Sequence, residues 1–233
     1  RAALLSSVSH DLRTPLASII GATSTLNQLG DSVPPAQQRE LLSMVLKEAE
    51  RLDRFVGNLL DMTRIEYGKL QPQASWCDLR DVLAGVVRGL HLVLANQPLK
   101  VSIDPDFPLL FIDAVLLERV LENLVDNAVK HSGVDLPVQV SASVTGSEAV
   151  IRVIDQGHGL SIGDRSTVQT LVHRARDADR RSAGSGLGLA ICRGFVDALG
   201  GTLQLLDGPG RRGLCAEIRL PRGDTLGTLE EQA

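Results

Sequence analysis

Apolar residues recur at three- and four-residue steps along the first 65 positions of the chain, which is the spacing of one face of an α-helix. One such stripe runs from Leu5 to Leu29, and a second runs from Leu41 to Ile65. Between them, the segment from Gly30 to Pro35 carries the glycine and the prolines that commonly end a helix. The pattern therefore predicts two long helices joined as a hairpin.

A single hairpin leaves part of each apolar stripe uncovered, because two helices bury only the faces that they turn toward each other. Pairing with a second copy of the hairpin into a four-helix bundle covers the remainder. We therefore expect a homodimer formed by residues 1–68. The alternative is that the stripes pack against the second half of the same chain.

The helical period stops after Gly68. Residues 69–77 are predicted to be a linker, with Asp78 as the N-cap of the next helix. Further helices are predicted at 79–95, 114–131 and 187–199, and strands at 138–144, 150–154, 202–206 and 214–220. These elements predict an α+β protein whose second domain, residues 78–222, is an α/β sandwich with helices on one side of a mixed sheet. Residues 223–233 are expected to form a disordered tail.

With 233 residues, the chain is long enough for two domains that each bury a core. Aromatic residues make up only 3% of the sequence, so the cores must be aliphatic. The net charge of -4 provides no basic field, which argues against nucleic acid as a partner. Three widely spaced cysteines without a CxxC pair indicate neither a disulfide framework nor a zinc site.

No apolar run reaches the roughly 18 to 20 residues of a membrane span. The chain also begins inside a helical pattern, without a Met or a helix cap. We therefore expect a soluble fragment of a longer protein. Any attachment to the cytoplasmic side of the cell membrane would come from the missing N-terminal region.

Three polar residues, His10, Asp11 and Thr14, fall within about one turn of the first predicted helix. Near neutral pH most free imidazoles are uncharged and nucleophilic, and a neighbouring carboxylate can accept the ring proton during attack on phosphorus. Pro15 removes a backbone N–H and bends the helix beside these residues, which suggests a hinge. Taken alone, a His-Asp pair is more often a solvated polar patch, so the functional interpretation depends on the second domain.

A second polar group lies on the predicted helix 114–131, where Asn123 and Asn127 are one turn apart and Lys130 and His131 follow. Amide oxygens suit Mg2+, which binds through few protein groups together with phosphates and waters, and a lysine suits the phosphates themselves. A solvated helix face without any ligand gives the same pattern.

A glycine-rich turn follows the strand predicted at 150–154 and contains Asp155, Gly157 and Gly159. Glycine permits close backbone approach, and a carboxylate at a strand end can accept a hydrogen bond from an exocyclic amine such as that of adenine. A simple turn without a ligand would have the same sequence.

A second glycine-rich segment runs directly into the helix predicted at 187–199, so that backbone N–H groups lie where phosphates bind. Its residues are Gly184, Gly186, Leu187 and Gly188. No strand immediately precedes it and no GK[ST] is present, which excludes a Rossmann motif and a P-loop. The asparagine helix, the DxGxG turn and the GxGxGL loop in this order are far more specific than any one of them.

These motifs resemble those of the sensor histidine kinases of two-component signalling, whose ATP domain is of the Bergerat type. SHDLRTPL resembles the family's H box, NLVDNAVKH its N box, and DQGHG and GSGLGLAI its two glycine boxes. The resemblance covers nearly all of residues 1–222. The surroundings of SHDLRTPLASIIGA and LAICRGFVDALGG are most similar to the potassium-responsive KdpD-type sensor kinases.

The resemblance implies that ATP phosphorylates His10 with assistance from Asp11, and that the phosphoryl group passes to an aspartate of a response-regulator receiver domain. It implies that Thr14 orients water when that partner is dephosphorylated. In the ATP domain it implies Mg2+ at Asn127 with Asn123 close by. The other implied contacts are phosphate or ribose at Lys130 and His131, adenine at Asp155, and nucleotide at Gly157, Gly159, Gly184, Gly186, Leu187 and Gly188.

Two features depart from the family's pattern. Residues 160–183 lack the aromatic residues of the usual ATP lid and carry five arginines, which either pair with phosphates or keep the segment solvated. The N box ends in His131, where an aromatic residue is common.

An alternative function follows, namely a regulatory dimer with a degenerate lid that serves as a phosphatase or scaffold. A chaperone-like or topoisomerase-like ATPase has less support, because it would not need SHDLRTPL.

Overall fold

The computed structural model describes residues 2–29, 32–67, 70–95, 97–133, 136–157, 159 and 187–222. It contains two compact units. The first unit holds the two long N-terminal helices as far as Arg64, and the second unit holds the sheets and the shorter helices.

The first unit is entirely helical. Helix α1 spans Ala2–Leu29 and helix α2 spans Pro35–Glu66, so both long helices predicted from the apolar stripes are present. Helix α2 begins before its apolar stripe, because a proline in the first turn has a fixed helical φ and lacks an N–H that would be unpaired there. Pro15 lies inside α1 and its side chain is buried.

The second unit is built from three helices and seven strands among the described residues. The helices are α3 (Leu79–Gly89), α4 (Ala114–His131) and α5 (Leu187–Ala198). The strands are β1 (Ser75–Cys77), β2 (Leu99–Ile103), β3 (Leu110–Ile112), β4 (Val138–Thr145), β5 (Glu148–Ile154), β6 (Thr202–Asp207) and β7 (Leu214–Pro221).

Five of these strands form one mixed sheet in the order β2-β4-β5-β7-β6. The pair β2 and β4 is parallel, and the other neighbours are antiparallel. Residues of the central strands that share one face are buried, as Val138, Val140 and Ala142 are on β4, because α4 packs against this face. The predicted α+β class with a mixed sheet is confirmed.

The core of the second unit is mainly aliphatic, as the composition requires. Phe195 on α5 is its largest fully buried side chain, at 1% exposure. The other fully buried large residues are leucine, isoleucine and valine. Asp78 caps α3 as predicted, since its Oδ1 accepts a hydrogen bond from the N–H of Arg80 at 2.8 Å.

The structure differs from the predicted elements in four places. Strands β1, β2 and β3 were not predicted, and β1 lies within the residues assigned to the linker. It forms because it pairs with β3, where Trp76 lies opposite Phe111 with ring centroids 5.2 Å apart. Helix α3 ends at Gly89 rather than near residue 95, because glycine is a poor helix former and the following N–H, of Leu90, closes the last turn on the carbonyl of Val86.

A charged cluster spans β5 and β7 on the face of the sheet opposite to α4. Glu217 is 3% exposed and accepts hydrogen bonds from Nε of Arg152 at 2.7 Å and from Nε of Arg219 at 2.8 Å. Arg219 also donates to Glu148 at 3.0 Å. Burial raises the pKa of Glu217, but the hydrogen bonds from Arg219 and Arg152 outweigh it and hold this pKa below its ordinary value.

Replacement of Glu217 by Gln should lower the free energy of unfolding at pH 7 by about 1 to 2 kcal/mol, because two charge-assisted hydrogen bonds are weakened while the arginines stay partly solvated. A carboxylate with a lowered pKa stabilises the fold above its ordinary pKa, and this stability is lost as the pH falls through the folded-state value. Urea titrations should therefore show a gap between the wild-type chain and Glu217→Gln that closes in acid. The more exposed Glu148→Gln is the control, and a gap that stays constant with pH would contradict the assignment.

Candidate functional site

Helix α4 carries the predicted asparagine face at the border of the core. Its N-terminus is fixed by Asp113, whose Oδ1 accepts hydrogen bonds from the N–H groups of Val115 at 3.0 Å and Leu116 at 3.2 Å. One side of the helix is buried through Leu116, Leu117, Val120, Leu121, Leu124, Val125 and Ala128. On the polar side, Asn123 and Asn127 are half-buried. Packing of the apolar side therefore fixes where the two amides lie.

The turn after β5 is organised by the carboxylate of Asp155, which is 6% exposed. Its Oδ1 accepts hydrogen bonds from the N–H of Gly157 at 2.8 Å and from the N–H of Leu214, on β7, at 3.1 Å. The N–H of Asp155 in turn donates to the carbonyl of Leu214 at 2.9 Å. Among the described residues, these side-chain hydrogen bonds all reach Oδ1, which leaves Oδ2 as the atom suited to a ligand.

The C-terminal end of α4 lies directly against this turn. A Cβ atom on Gly157 would be 2.1 Å from the carbonyl oxygen of His131, so only glycine fits at that position. The N–H of Gln156 also lies 3.4 Å from Oγ of Ser132, the residue that follows the helix. The structure thus brings the N box and the first glycine box together.

The start of α5 faces the asparagine pair. A Cβ atom placed on Gly188 would lie 3.6 Å from Oδ1 of Asn123 and 3.6 Å from Nδ2 of Asn127, so the residue at this position borders both amides. The backbone N–H groups in the first turn of a helix have no partner within the helix and can bind an anion. Leu187 begins the helix. Gly184, Gly186 and the five lid arginines lie outside the described residues.

The two remaining residues of the N box are exposed. Nζ of Lys130 forms an ion pair with Oδ2 of Asp126, one turn earlier on the same helix. This pair was not anticipated from the sequence, and it holds the predicted phosphate-binding cation along α4. His131 is exposed at the end of the helix, next to the Asp155 turn.

The predicted phosphotransfer residues lie in the other unit. His10, Asp11 and Thr14 all belong to α1, and the side chain of Thr14 is exposed. The side chains of His10 and Asp11 lie outside what the structure describes. The chemistry assigned to these three residues therefore stays a prediction.

Sequence reasoning missed the loop between β6 and β7, residues 208–213. Its sequence, GPGRRG, indicates a tight connection between two strands, but nothing in that pattern shows which part of the molecule the loop touches. In the structure the N–H of Gly213 donates to the carbonyl of Gly157 at 2.9 Å, so the loop packs on the Asp155 turn.

Two family models match the chain. The model described as His Kinase A (phospho-acceptor) domain matches residues 1–68, and the model described as histidine kinase-, DNA gyrase B-, and HSP90-like ATPase matches residues 112–224. The chain belongs to the sensor histidine kinases. The family resemblance found in the sequence motifs is confirmed, and this sensor histidine kinase chain carries both a phospho-acceptor domain and an ATP-binding domain.

The KdpD-type resemblance is also confirmed. Sensor protein KdpD of Escherichia coli (strain K12) is 37% identical over 99% of this chain, which covers 25% of that protein. Sensor protein KdpD of Mycobacterium tuberculosis (strain ATCC 25618 / H37Rv) is 36% identical over 90% of this chain, again 25% of that protein. The sensor histidine kinase chain thus spans about a quarter of the length of these relatives.

A solved structure shows the same fold. The Acinetobacter baumannii histidine kinase AdeS superposes with a TM-score of 0.66 at 22% identity, over 92% of this chain and 98% of the other. Within the part of the kinase chain that the structure describes, no helix combines the length and hydrophobicity needed to cross a membrane.

Replacement of Asp155 by Ala should destabilise the second unit by about 2 to 3 kcal/mol, because two backbone N–H groups lose their acceptor in a nearly buried turn. Asp155→Asn keeps an oxygen that can accept both hydrogen bonds and should cost less than about 1 kcal/mol. Urea denaturation of both variants checks this difference. Equal losses would show that the charge, not the acceptor atom, holds the turn.

Proposed function

We propose that this chain uses ATP to phosphorylate His10 and then transfers the phosphoryl group to an aspartate of a response-regulator receiver domain. The observation that carries the proposal is that α4 borders both other elements: its C-terminal end contacts the Asp155 turn, and its Asn123 and Asn127 amides lie beside Gly188 at the start of α5. These elements come from three separate stretches of sequence, and each supplies a different part of a nucleotide site.

Adenine is proposed to bind at Asp155, where Oδ2 accepts a hydrogen bond from the exocyclic amine while Oδ1 stays bound to backbone N–H groups. The phosphates would lie along the first turn of α5, near Gly188, with Lys130 and His131 as further contacts to phosphate or ribose. This use of Lys130 requires it to leave or share its pairing with Asp126.

The donor set also fits Mg2+. Amide oxygens are hard ligands, and Gly188 leaves the space beside the two asparagines free of a side chain. Asn127, with Asn123 close by, would hold the ion, which when bound offsets negative charge on the phosphates. Asn123 Nδ2 donates to the carbonyl of Arg119 at 3.0 Å, which orients that amide within its helix.

Phosphotransfer is proposed to occur at an imidazole nitrogen of His10. A bond forms between that nitrogen and the γ-phosphorus, the bond between this phosphorus and the oxygen of ADP breaks, and Asp11 accepts the ring proton. The phosphoryl group then passes to a carboxylate of the response regulator. We propose a second, opposing activity for the same helix, in which Thr14 orients a water that attacks the acyl phosphate of the response regulator, breaks its bond to the carboxylate and releases inorganic phosphate.

The alternative of a regulatory dimer with a degenerate lid is motivated by the absence of aromatic residues from 160–183. Calorimetry with a nonhydrolysable ATP analogue separates the two functions. A dissociation constant below about 1 mM, which corresponds to a binding free energy of roughly 4 kcal/mol in favour of the complex, would argue against a pocket that has lost nucleotide binding.

A homodimer through residues 1–68 is supported by the surface of the first unit. Several large apolar side chains of α1 and α2 are about half exposed, namely Leu16, Ile20, Leu42, Leu46, Val56 and Leu60. The four on α2 are spaced so that they lie on one side of the helix. Covering such a stripe with a second copy removes apolar surface from water, which is favourable at about 25 cal/mol per Å².

The relatives are about four times as long as this chain, which supports the proposal that the full-length protein has further domains. We propose that the missing N-terminal region anchors it at the cytoplasmic side of the cell membrane and senses the stimulus.

Incubation of the chain with γ-labelled ATP and Mg2+ should label the wild-type protein and not His10→Gln, because only an imidazole nitrogen can form the phosphoramidate. The label should be lost in acid and kept in base. Asp155→Asn, which is expected to keep the fold, should be labelled more slowly at limiting ATP. Equal labelling of the wild-type protein and His10→Gln would rule out His10 as the acceptor.

Replacement of Leu46 by Glu should raise the dissociation constant of the dimer about tenfold or more, because an unpaired carboxylate would be buried in the interface. Lys47→Glu is the matched control, since it introduces the same side chain at an exposed neighbouring position that points to another side of α2. Sedimentation velocity over a range of concentrations measures both. A dimer equally stable in the two variants would place the interface elsewhere.

A further inference from the structure

The loop of residues 208–213 closes over the Asp155 turn through backbone hydrogen bonds. The N–H of Gly208 donates to the carbonyl of Gly213 at 3.1 Å, which closes the loop on itself. The N–H of Gly213 then donates to the carbonyl of Gly157, and the next N–H, of Leu214, donates to Oδ1 of Asp155. The loop is therefore attached to both ends of the segment that carries the carboxylate.

Gly213 meets two separate requirements at this contact. Its φ is +70°, a backbone conformation that favours glycine. A Cβ atom there would also lie 1.9 Å from the carbonyl oxygen of Asp155 and 2.8 Å from Oδ1 of the same residue. On the other side, a Cβ on Gly159 would lie 3.0 Å from the carbonyl oxygen of Gly213. A side chain at position 213 is therefore incompatible with the observed placement of Asp155 against the loop, so the residue and the loop must shift relative to each other.

We propose that Gly213 is a positioning residue for base recognition, and that the loop 208–213 sets the preference of the site for adenine over guanine. The inference rests on the proposed binding of adenine at Asp155. A carboxylate oxygen attracts the exocyclic amine that adenine presents and repels the carbonyl oxygen that guanine presents at the corresponding position. Displacement of this carboxylate should weaken the distinction between the two bases more than it weakens binding of the phosphates, which use other residues.

The loop offers a matched control for this test. Gly210 has a φ of +67°, but a Cβ atom there would meet no atom within 4 Å. In the variants Gly213→Ala and Gly210→Ala, alanine therefore adopts a similar positive φ in the same loop, with similar backbone strain. Only the Cβ at position 213 would clash with Asp155. A difference between them reports the contact with Asp155 and not the strain of a positive φ.

The experiment is calorimetric titration of the whole chain with Mg-ATP and with Mg-GTP, accompanied by circular dichroism and thermal melting. Gly213→Ala should raise the dissociation constant for ATP about tenfold or more, as expected when a hydrogen bond to a charged group is lost, and should change that for GTP by less than about threefold. Gly210→Ala should bind both nucleotides within about twofold of the wild-type chain.

A second variant covers the case in which Gly213→Ala does not fold. Gly208 has a φ of -64°, which any residue can adopt, but a Cβ atom there would lie 2.0 Å from the carbonyl oxygen of Arg212. Gly208→Ala should therefore shift the loop without placing an atom beside Asp155, and should also reduce the preference for ATP over GTP.

An unchanged ATP-to-GTP preference in a folded Gly213→Ala or Gly208→Ala variant, with the wild-type chain binding ATP, would overturn this inference alone. Failure of the wild-type chain to bind ATP would overturn it together with the proposed nucleotide site. A preference lost equally in Gly210→Ala would also overturn it, because the effect would then come from backbone strain.

Discussion

The two hydrogen bonds that Oδ1 of Asp155 accepts hold the candidate nucleotide site together. They join the end of β5 to the start of β7 and to the glycine turn, so a single carboxylate oxygen links three backbone segments. Both of these hydrogen bonds use Oδ1, so the proposed contact with the base is assigned to Oδ2. Because a buried acceptor and its donors are costly to separate, the carboxylate that would recognise the base also stabilises the turn that presents it.

Helix α4 combines structural and functional roles in a comparable way. Its apolar side packs on the sheet, and its C-terminal end contacts the Asp155 turn so closely that position 157 must be glycine. The position of the asparagines along the helix is thus tied to the packing of the core. Mutations in the aliphatic core beneath α4 would therefore affect the geometry of the site even though they touch no ligand.

The two units of the chain differ in how their apolar side chains are distributed between the interior and the surface. The second unit buries an aliphatic core between its helices and one face of the sheet. The first unit leaves a row of leucines and other apolar side chains on α2 half exposed, which is unfavourable in water unless another surface covers them. The second unit also exposes apolar side chains, such as Trp76, Phe111 and Val115, so the proposed dimer rests on the fact that those of α2 share one side of a long helix.

The sequence by itself determined both long helices, the full extent of α4 and four strands, because each depends on local periodicity. It also predicts the site residues, because they belong to motifs of neighbouring residues. Tertiary structure decided the rest. β1 and β3 are too short to show a pattern and exist because Trp76 and Phe111 lie opposite each other. The packing of Gly213 on Asp155 joins residues that are far apart along the chain, and only the pairing of β5 with β7 brings their backbones within hydrogen-bonding distance.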